Sequence, residues 1–277
     1  MKKESILGKI VECVFLAFLF LLFVFPFYWM LITSLKTTLE AVQFPPTLWP
    51  SKLIFANYAD AWKAAGFVKY GKNTIIITFA AVALQLIASV PAAFAFARMN
   101  FRGKKLFFTI ILSDMMIPIQ AIFIPIFLMY SRLGWLNTYR SMIIPFIYSG
   151  YSIFFMHNAF MQVSNEVLEA ARLDGSSELA VMFKVIMPMI KPVIITLALL
   201  CFVRRWNDYF WNTVLTTNDT VRTLPIAINA ITEAKDELLR RWDVSMAGNV
   251  MLMAPLLILY TVASKRIKSA FVYSGIK

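Results

Sequence analysis

Six apolar segments, at 13–34, 74–97, 106–130, 142–161, 193–211 and 244–264, are long enough to cross a hydrocarbon core, which needs ~20 helical residues. In lipid a backbone has no water to satisfy its polar groups, so crossings of this length must be helical. The expectation is an all-α membrane protein with six transmembrane helices and one membrane domain over 1–277. The first segment is too long for a signal peptide and lacks a small-residue cleavage site, so it is expected to stay as an anchor. Composition agrees, with 60% hydrophobic and 15% charged residues. A net charge of +12 would suggest nucleic acid in a soluble protein, but here the cations sit largely between and beside apolar runs and act as topology signals. Cys13 and Cys201 both lie inside apolar runs and outline no disulfide framework.

The basic residues orient the chain. Lys2, Lys3 and Lys9 at the start, Arg98, Arg102, Lys104 and Lys105 after the second segment, and Lys265, Arg266 and Lys268 after the last put both termini in the cytoplasm. Termini on one side need an even number of crossings, and six supplies it. The outer pieces are then 36–73, 131–140 and 212–243. The first carries the rigid run Phe44-Pro45-Pro46-Thr47-Leu48-Trp49-Pro50, followed by an expected short helix near 57–65.

Between the fourth and fifth segments lies a polar island at 164–188. Ser164 and Asn165 can cap a helix whose first turn carries Glu166 and Glu169, where carboxylates suit the positive end of the backbone dipole. Asp174-Gly175 predicts its stop, because glycine tolerates the left-handed conformation that ends helices. Ser177 can cap a second short helix running to about Pro188. An amphipathic surface hairpin or a DNA-reading helix-turn-helix would share these signals. The small apolar surface of Ala170, Ala171, Leu173, Ala180, Val181 and Met182 suits a protein cleft better than a DNA groove.

The order Glu169-Ala170-Ala171, three residues, Gly175, nine residues, then Val185, Met187 and Pro188 resembles the "EAA loop" of permease subunits of ATP-binding-cassette (ABC) importers. Phe96-Ala97-Arg98 through Phe101-Arg102-Gly103-Lys104 is similar to the "FAR..F.G" junction of the carbohydrate-type permeases of the maltose and glycerol-3-phosphate kind. Leu133-Gly134-Trp135-Leu136-Asn137-Thr138 looks like their "LGL.NT" turn, and Phe202, Trp206 and Asn207 match "F...WN". The chain departs from that pattern at His157-Asn158, at Trp211-Asn212 and in its closing residues.

The resemblance implies the type I ABC importer permease fold with a cytoplasmic coupling-helix hairpin, in a bacterial cytoplasmic (inner) membrane. It also implies a second homologous permease subunit, two ABC ATPase subunits and an extracytoplasmic solute-binding protein as partners, besides membrane lipid. ATP and Mg would sit on the ATPase subunits, since this chain has no Gly-rich phosphate loop; it is expected to be a transport subunit, not an enzyme, binding no cofactor, metal or nucleic acid of its own. In the coupling hairpin Glu169 would be the polar contact, Ala170 and Ala171 the close-packing face and Asp174-Gly175 the turn, with Pro188 closing the second helix.

The expected substrate pathway is Arg204, Arg205, Trp206, Asn207, Asp208 and Tyr209, because charge within a span is costly and is usually turned inward. Arg204 and Asp208 stand four residues apart and are expected to neutralise one another, leaving Arg205 freer. Trp206 and Tyr209 can stack on sugar faces while Asn207 bonds hydroxyls. Two arginines then favour an acidic oligosaccharide. The same residues can equally form an interfacial aromatic belt with arginines paired inside the bundle. Glycerol-3-phosphate or another non-sugar solute stays open, as does an ion-driven secondary transporter relaying charge through Asp114, Arg204 and Asp208.

Overall fold

The structure is a computed structural model that describes residues 6–233 and 240–275. Its contacts fall into two compact units, Met1–Phe67 with Ala227–Ala254, and Val68–Ile226 with Pro255–Lys277.

The first unit opens with α1 (Ile6–Thr33), whose apolar window is entirely uncovered by the rest of the chain. Phe15, Phe18, Phe20 and Phe23 all stand exposed on it, the surface of a helix that meets lipid or another subunit. Two short helices follow, α2 (Thr38–Val42) and α3 (Ala56–Ala64), the latter where the short outer helix was expected. The segment around them is held by side chains that satisfy backbone groups. Asn57 donates to the carbonyls of Ser34 (3.0 Å) and Lys36 (2.8 Å). Buried Glu40 accepts from the Ser51 N–H at 2.9 Å and from the Thr47 and Ser51 hydroxyls, while Lys36 donates to the Thr47 carbonyl at 2.5 Å. Val244 and Ala247 pack on Ala61, and a β-carbon at Gly248 would stand 3.2 Å from Ile228.

The second unit is built on α4 (Phe67–Arg98). The third expected crossing is divided into α5 (Lys104–Asp114) and α6 (Ile119–Arg132). Pro118 explains the gap, because it lacks an N–H and disfavours helix at Ile117. The fourth becomes α7 (Tyr139–Ile143), a 3₁₀ turn (Ile144–Phe146) and α8 (Gly150–Met161). The polar island follows as α9 (Asn165–Leu173), α10 (Glu178–Ala180), a π-helical stretch (Val181–Ile186) and α11 (Met187–Met189). Then come α12 (Lys191–Trp206), α13 (Phe210–Leu215) and α14 (Leu224–Asn229). The final helix, α15 (Trp242–Gly275), begins near the expected sixth crossing.

Among the described residues, three helices, Gly8–Thr33, Phe67–Arg98 and Trp242–Ser264, are long and apolar enough to cross a membrane singly. Glu178–Met189 and Lys191–Trp206 together form a fourth apolar element, bent by 83°. The corner falls at Ile190, and Pro192 in the first turn of α12 needs no N–H partner there.

Ile77, Tyr130, Met142, Trp211, Leu215 and Val221 make a core beneath the loops that join these helices. Two asparagines organise those loops. Asn137, at φ 60°, accepts from the N–H groups of Thr217 (2.7 Å) and Asn218 (3.1 Å). Asn73 donates to the carbonyls of Thr220 and Arg222 and accepts from the Tyr139 hydroxyl at 2.6 Å.

Candidate functional site

The hairpin forms as its residues dictate, with additions that spacing did not reveal. Helix α9 ends in a Schellman motif: Ser176 N–H donates to the Ala171 carbonyl (3.1 Å) and Gly175 N–H to Arg172 (3.0 Å), with Gly175 at φ +79°. The Ser177 hydroxyl accepts from Ala180 N–H and caps α10 as expected, whereas the Ser164 side chain makes no cap bond. Arg172 crosses the turn to grip Glu178 with Nε at 2.8 Å and Nη2 at 3.1 Å. The Glu178 bond and charge, with Glu169 adding to them, push the guanidinium above its ordinary value. Both partners are exposed, so the bridge contributes ~0.2–1 kcal/mol and serves mainly to set the angle between the two helices.

Burial divides the hairpin into two faces. Leu168, Val181, Met182 and Ile186 are buried, so Val181 and Met182 do not belong to the outward surface expected of them. The π-helical stretch rotates the chain at that point. Outward stand Glu169, Ala170, Asp174, Gly175 and Pro188, with Ala171 half-buried and Leu173 88% exposed. Leu179 and Phe183 are also exposed. Neither was singled out from sequence, although their apolar character beside charged neighbours was the available signal. The result is a charged and apolar patch on a braced turn.

At its base, Arg98 donates from Nε (3.0 Å) and Nη2 (2.5 Å) to the Phe160 carbonyl, from Nη2 to the Val163 carbonyl, and from Nη1 to the Asn165 side chain at 2.7 Å. From sequence Arg98 is a topology signal and part of the Phe96-Ala97-Arg98 junction, and neither reading gives a sign of these partners.

At the end of α12, Arg205 rather than Arg204 pairs with Asp208. This corrects the four-residue pairing expected from sequence. Helix α12 stops at Trp206, so the i,i+4 geometry does not extend to Asp208. Asp208 instead accepts the Trp211 N–H at 3.1 Å with its other oxygen, in the first turn of α13. Its side chain diverts the backbone from the continuous 193–211 helix that was expected. Arg205 is 6% exposed and lies over the Phe146 ring, and Trp206 is buried and stacked on Phe202 at 5.4 Å between centroids. Arg204, Asn207 and Tyr209 are exposed. The structure therefore brings the six residues together but splits them into a buried pair with its aromatic support and an exposed polar set.

A multi-helix membrane protein that presents a braced, charged turn is the class these features define. The comparisons then specify it: residues 85–271 match the family model "Binding-protein-dependent transport system inner membrane component", and the chain belongs to that family. It is 28% identical over 264 residues to the arabinooligosaccharides transport system permease protein AraQ of Halalkalibacterium halodurans, covering 94% of each chain. It is 29% identical to the diacetylchitobiose uptake system permease protein NgcG of Streptomyces coelicolor, covering 87% of this chain and 80% of that one. Among solved structures it superposes with a TM-score of 0.84 and 29% identity on a chain of a bacterial ABC transporter involved in the import of the acidic polysaccharide alginate, covering 96% of this chain and 99% of that one. The fold is accordingly the type I ABC importer permease fold, and the chain is a multi-pass inner-membrane transport component.

Proposed function

We propose that this chain is the permease subunit through which a binding-protein-dependent importer moves an oligosaccharide across the cytoplasmic membrane, driven by ATP hydrolysis on separate subunits. A second homologous permease, two ABC ATPases and an extracytoplasmic solute-binding protein complete the complex. The chain crosses the membrane six times with both termini and the 164–188 hairpin inside; its broken third, fourth and fifth crossings count once each. The likeness to permeases for arabinooligosaccharides and diacetylchitobiose supports a carbohydrate. The likeness to a transporter of an acidic polysaccharide, with Arg204 exposed at the end of α12, supports an acidic one.

The observation that carries the mechanism is the braced turn at Gly175. ATP-driven closure of the ATPase pair displaces its outward face, where Glu169 and Ala170 meet the ATPase, and the hairpin moves as a lever because the Schellman motif and the Arg172–Glu178 bridge resist bending. Glu169→Lys reverses the charge at that contact and leaves the Gly175 and Ser176 backbone bonds of the turn in place. In the reconstituted complex we expect solute uptake to be lost and the ATPase no longer to respond to binding protein. Normal stimulated uptake in this variant would remove the coupling role.

A further inference from the structure

We infer that Arg98 is the positioning residue that makes the coupling hairpin and the membrane helices move as one body, an inference resting on the coupling role proposed above for 164–188. The geometry is specific. Arg98 is the last residue of α4, and its guanidinium reaches 62 positions along the chain to the Phe160 carbonyl, which it engages with both Nε and Nη2. The same Nη2 engages Val163, and Nη1 engages the side chain of Asn165, the first residue of α9. The Phe160 carbonyl lies in the last turn of α8 and that of Val163 two residues beyond its end, where a cation complements the helix dipole.

One planar, permanently charged fork thus joins three helices at the three residues, 162–164, about which α9 would otherwise pivot. Lysine offers a point charge without the fork and can satisfy only part of this set. If the hairpin is pushed by a partner, the push reaches α4 and α8 through Arg98. Without it the hairpin swings on the 162–164 link and the displacement is lost.

The test uses the assembled importer in liposomes and reads ATP consumed per solute imported, together with nucleotide-driven distance change between spin labels at Ser176 and Gln162. Arg98→Met keeps the length of the stem and removes the fork. We expect ATP consumed per solute to rise about tenfold or more, within the usual range of coupling energies, and the 162–176 distance, nearly constant in the wild type, to change on nucleotide binding. Arg98→Lys should fall between. Asn165→Ala, which removes only the contact to α9, should raise the ratio about threefold and serves as the deciding variant if Arg98→Met does not assemble. A wild-type ratio and a constant distance in Arg98→Met, or in Asn165→Ala where that variant decides, would overturn the inference. Glu169→Lys run alongside separates the two claims: if it too transports normally, the coupling role of the hairpin fails; if it uncouples while the Arg98 and Asn165 variants do not, only the role of Arg98 falls.

Discussion

Replacing Gly175 in turn by asparagine, alanine and valine separates backbone conformation from side-chain bulk at the turn. The residue sits at φ +79°, and a β-carbon built on it meets nothing within 4 Å. Within the chain the cost of substitution is therefore conformational. Holding a residue other than glycine in the left-handed region costs about 1–3 kcal/mol, with β-branched residues at the upper end and asparagine least disfavoured. We expect about 1 kcal/mol for Gly175→Ala, which lowers the population of the correctly closed turn about fivefold, and about 2 kcal/mol or more for Gly175→Val. Gly175→Asn should stay close to wild type despite being larger than alanine. The assay is binding-protein-stimulated ATP hydrolysis and uptake in the reconstituted complex, with proteolytic susceptibility of the turn as a measure independent of partners. The expected order of damage is Asn, then Ala, then Val. Damage that follows side-chain volume instead, with Asn as harmful as Val, would show that contact with a partner and not the left-handed turn governs this position.

Arg205→Gln strands Asp208 in a buried site and should destabilise the complex by about 3–5 kcal/mol whatever the solute, with Arg205→Gln/Asp208→Asn recovering much of the loss in a thermal melt. Arg204→Gln should leave the melt unchanged and reduce uptake of a uronate-containing oligosaccharide more than that of a neutral analogue; equal loss of both would refute a charge-selecting role. In a cysteine-free background, a cysteine at exposed Lys52 should react with an impermeant reagent in intact cells, and one at Leu173 only in inside-out vesicles lacking the ATPases; the reverse pattern would overturn the topology. Burial pushes the Glu40 carboxyl up, but the Ser51 N–H, the Ser51 and Thr47 hydroxyls and the charge of Lys36 outweigh it and hold the group below its ordinary value. Its contribution is thus full above the unfolded carboxylate range, near pH 4.3, and is lost as pH falls through the lower folded value. Protection against hydrogen exchange across 36–60, taken relative to the intrinsic rate at each pH, should fall on acidification, and Glu40→Gln should abolish that acid-side dependence.

What could be read from residues alone divides along the range of the interactions concerned. The hairpin was legible because the Ser177 cap, a stop glycine and a proline are local devices, each spanning a few residues. The outer helix near 57–65 was legible for the same reason. Where a partner lay far away, local pattern gave no access. Arg98 looks like any basic residue after an apolar run until Phe160 and Asn165 are brought beside it. The Arg204–Asp208 expectation failed through one assumption, that the helix persists beyond Trp206. An Asp that spends its oxygens on Arg205 and the Trp211 N–H ends the helix and changes the partner together. Val181 and Met182 were misplaced because a helical wheel at 3.6 residues per turn loses phase across a π-helical stretch.

On the coupling role proposed above for 164–188, the bend of 83° at Ile190 sets what kind of motion the hairpin would deliver. A thrust along the axis of residues 178–189 meets α12 almost broadside, so it has scarcely any component along that helix and cannot drive it as a piston. It acts as a torque. With 16 residues at ~1.5 Å each, α12 is an arm of about 24 Å, and a sideways shift of about 2 Å at its base tilts it by about 5°. The far end of that arm carries Arg204 and Asn207, so the residues exposed there would be turned through an angle while the chain between them and the cytoplasm keeps its length.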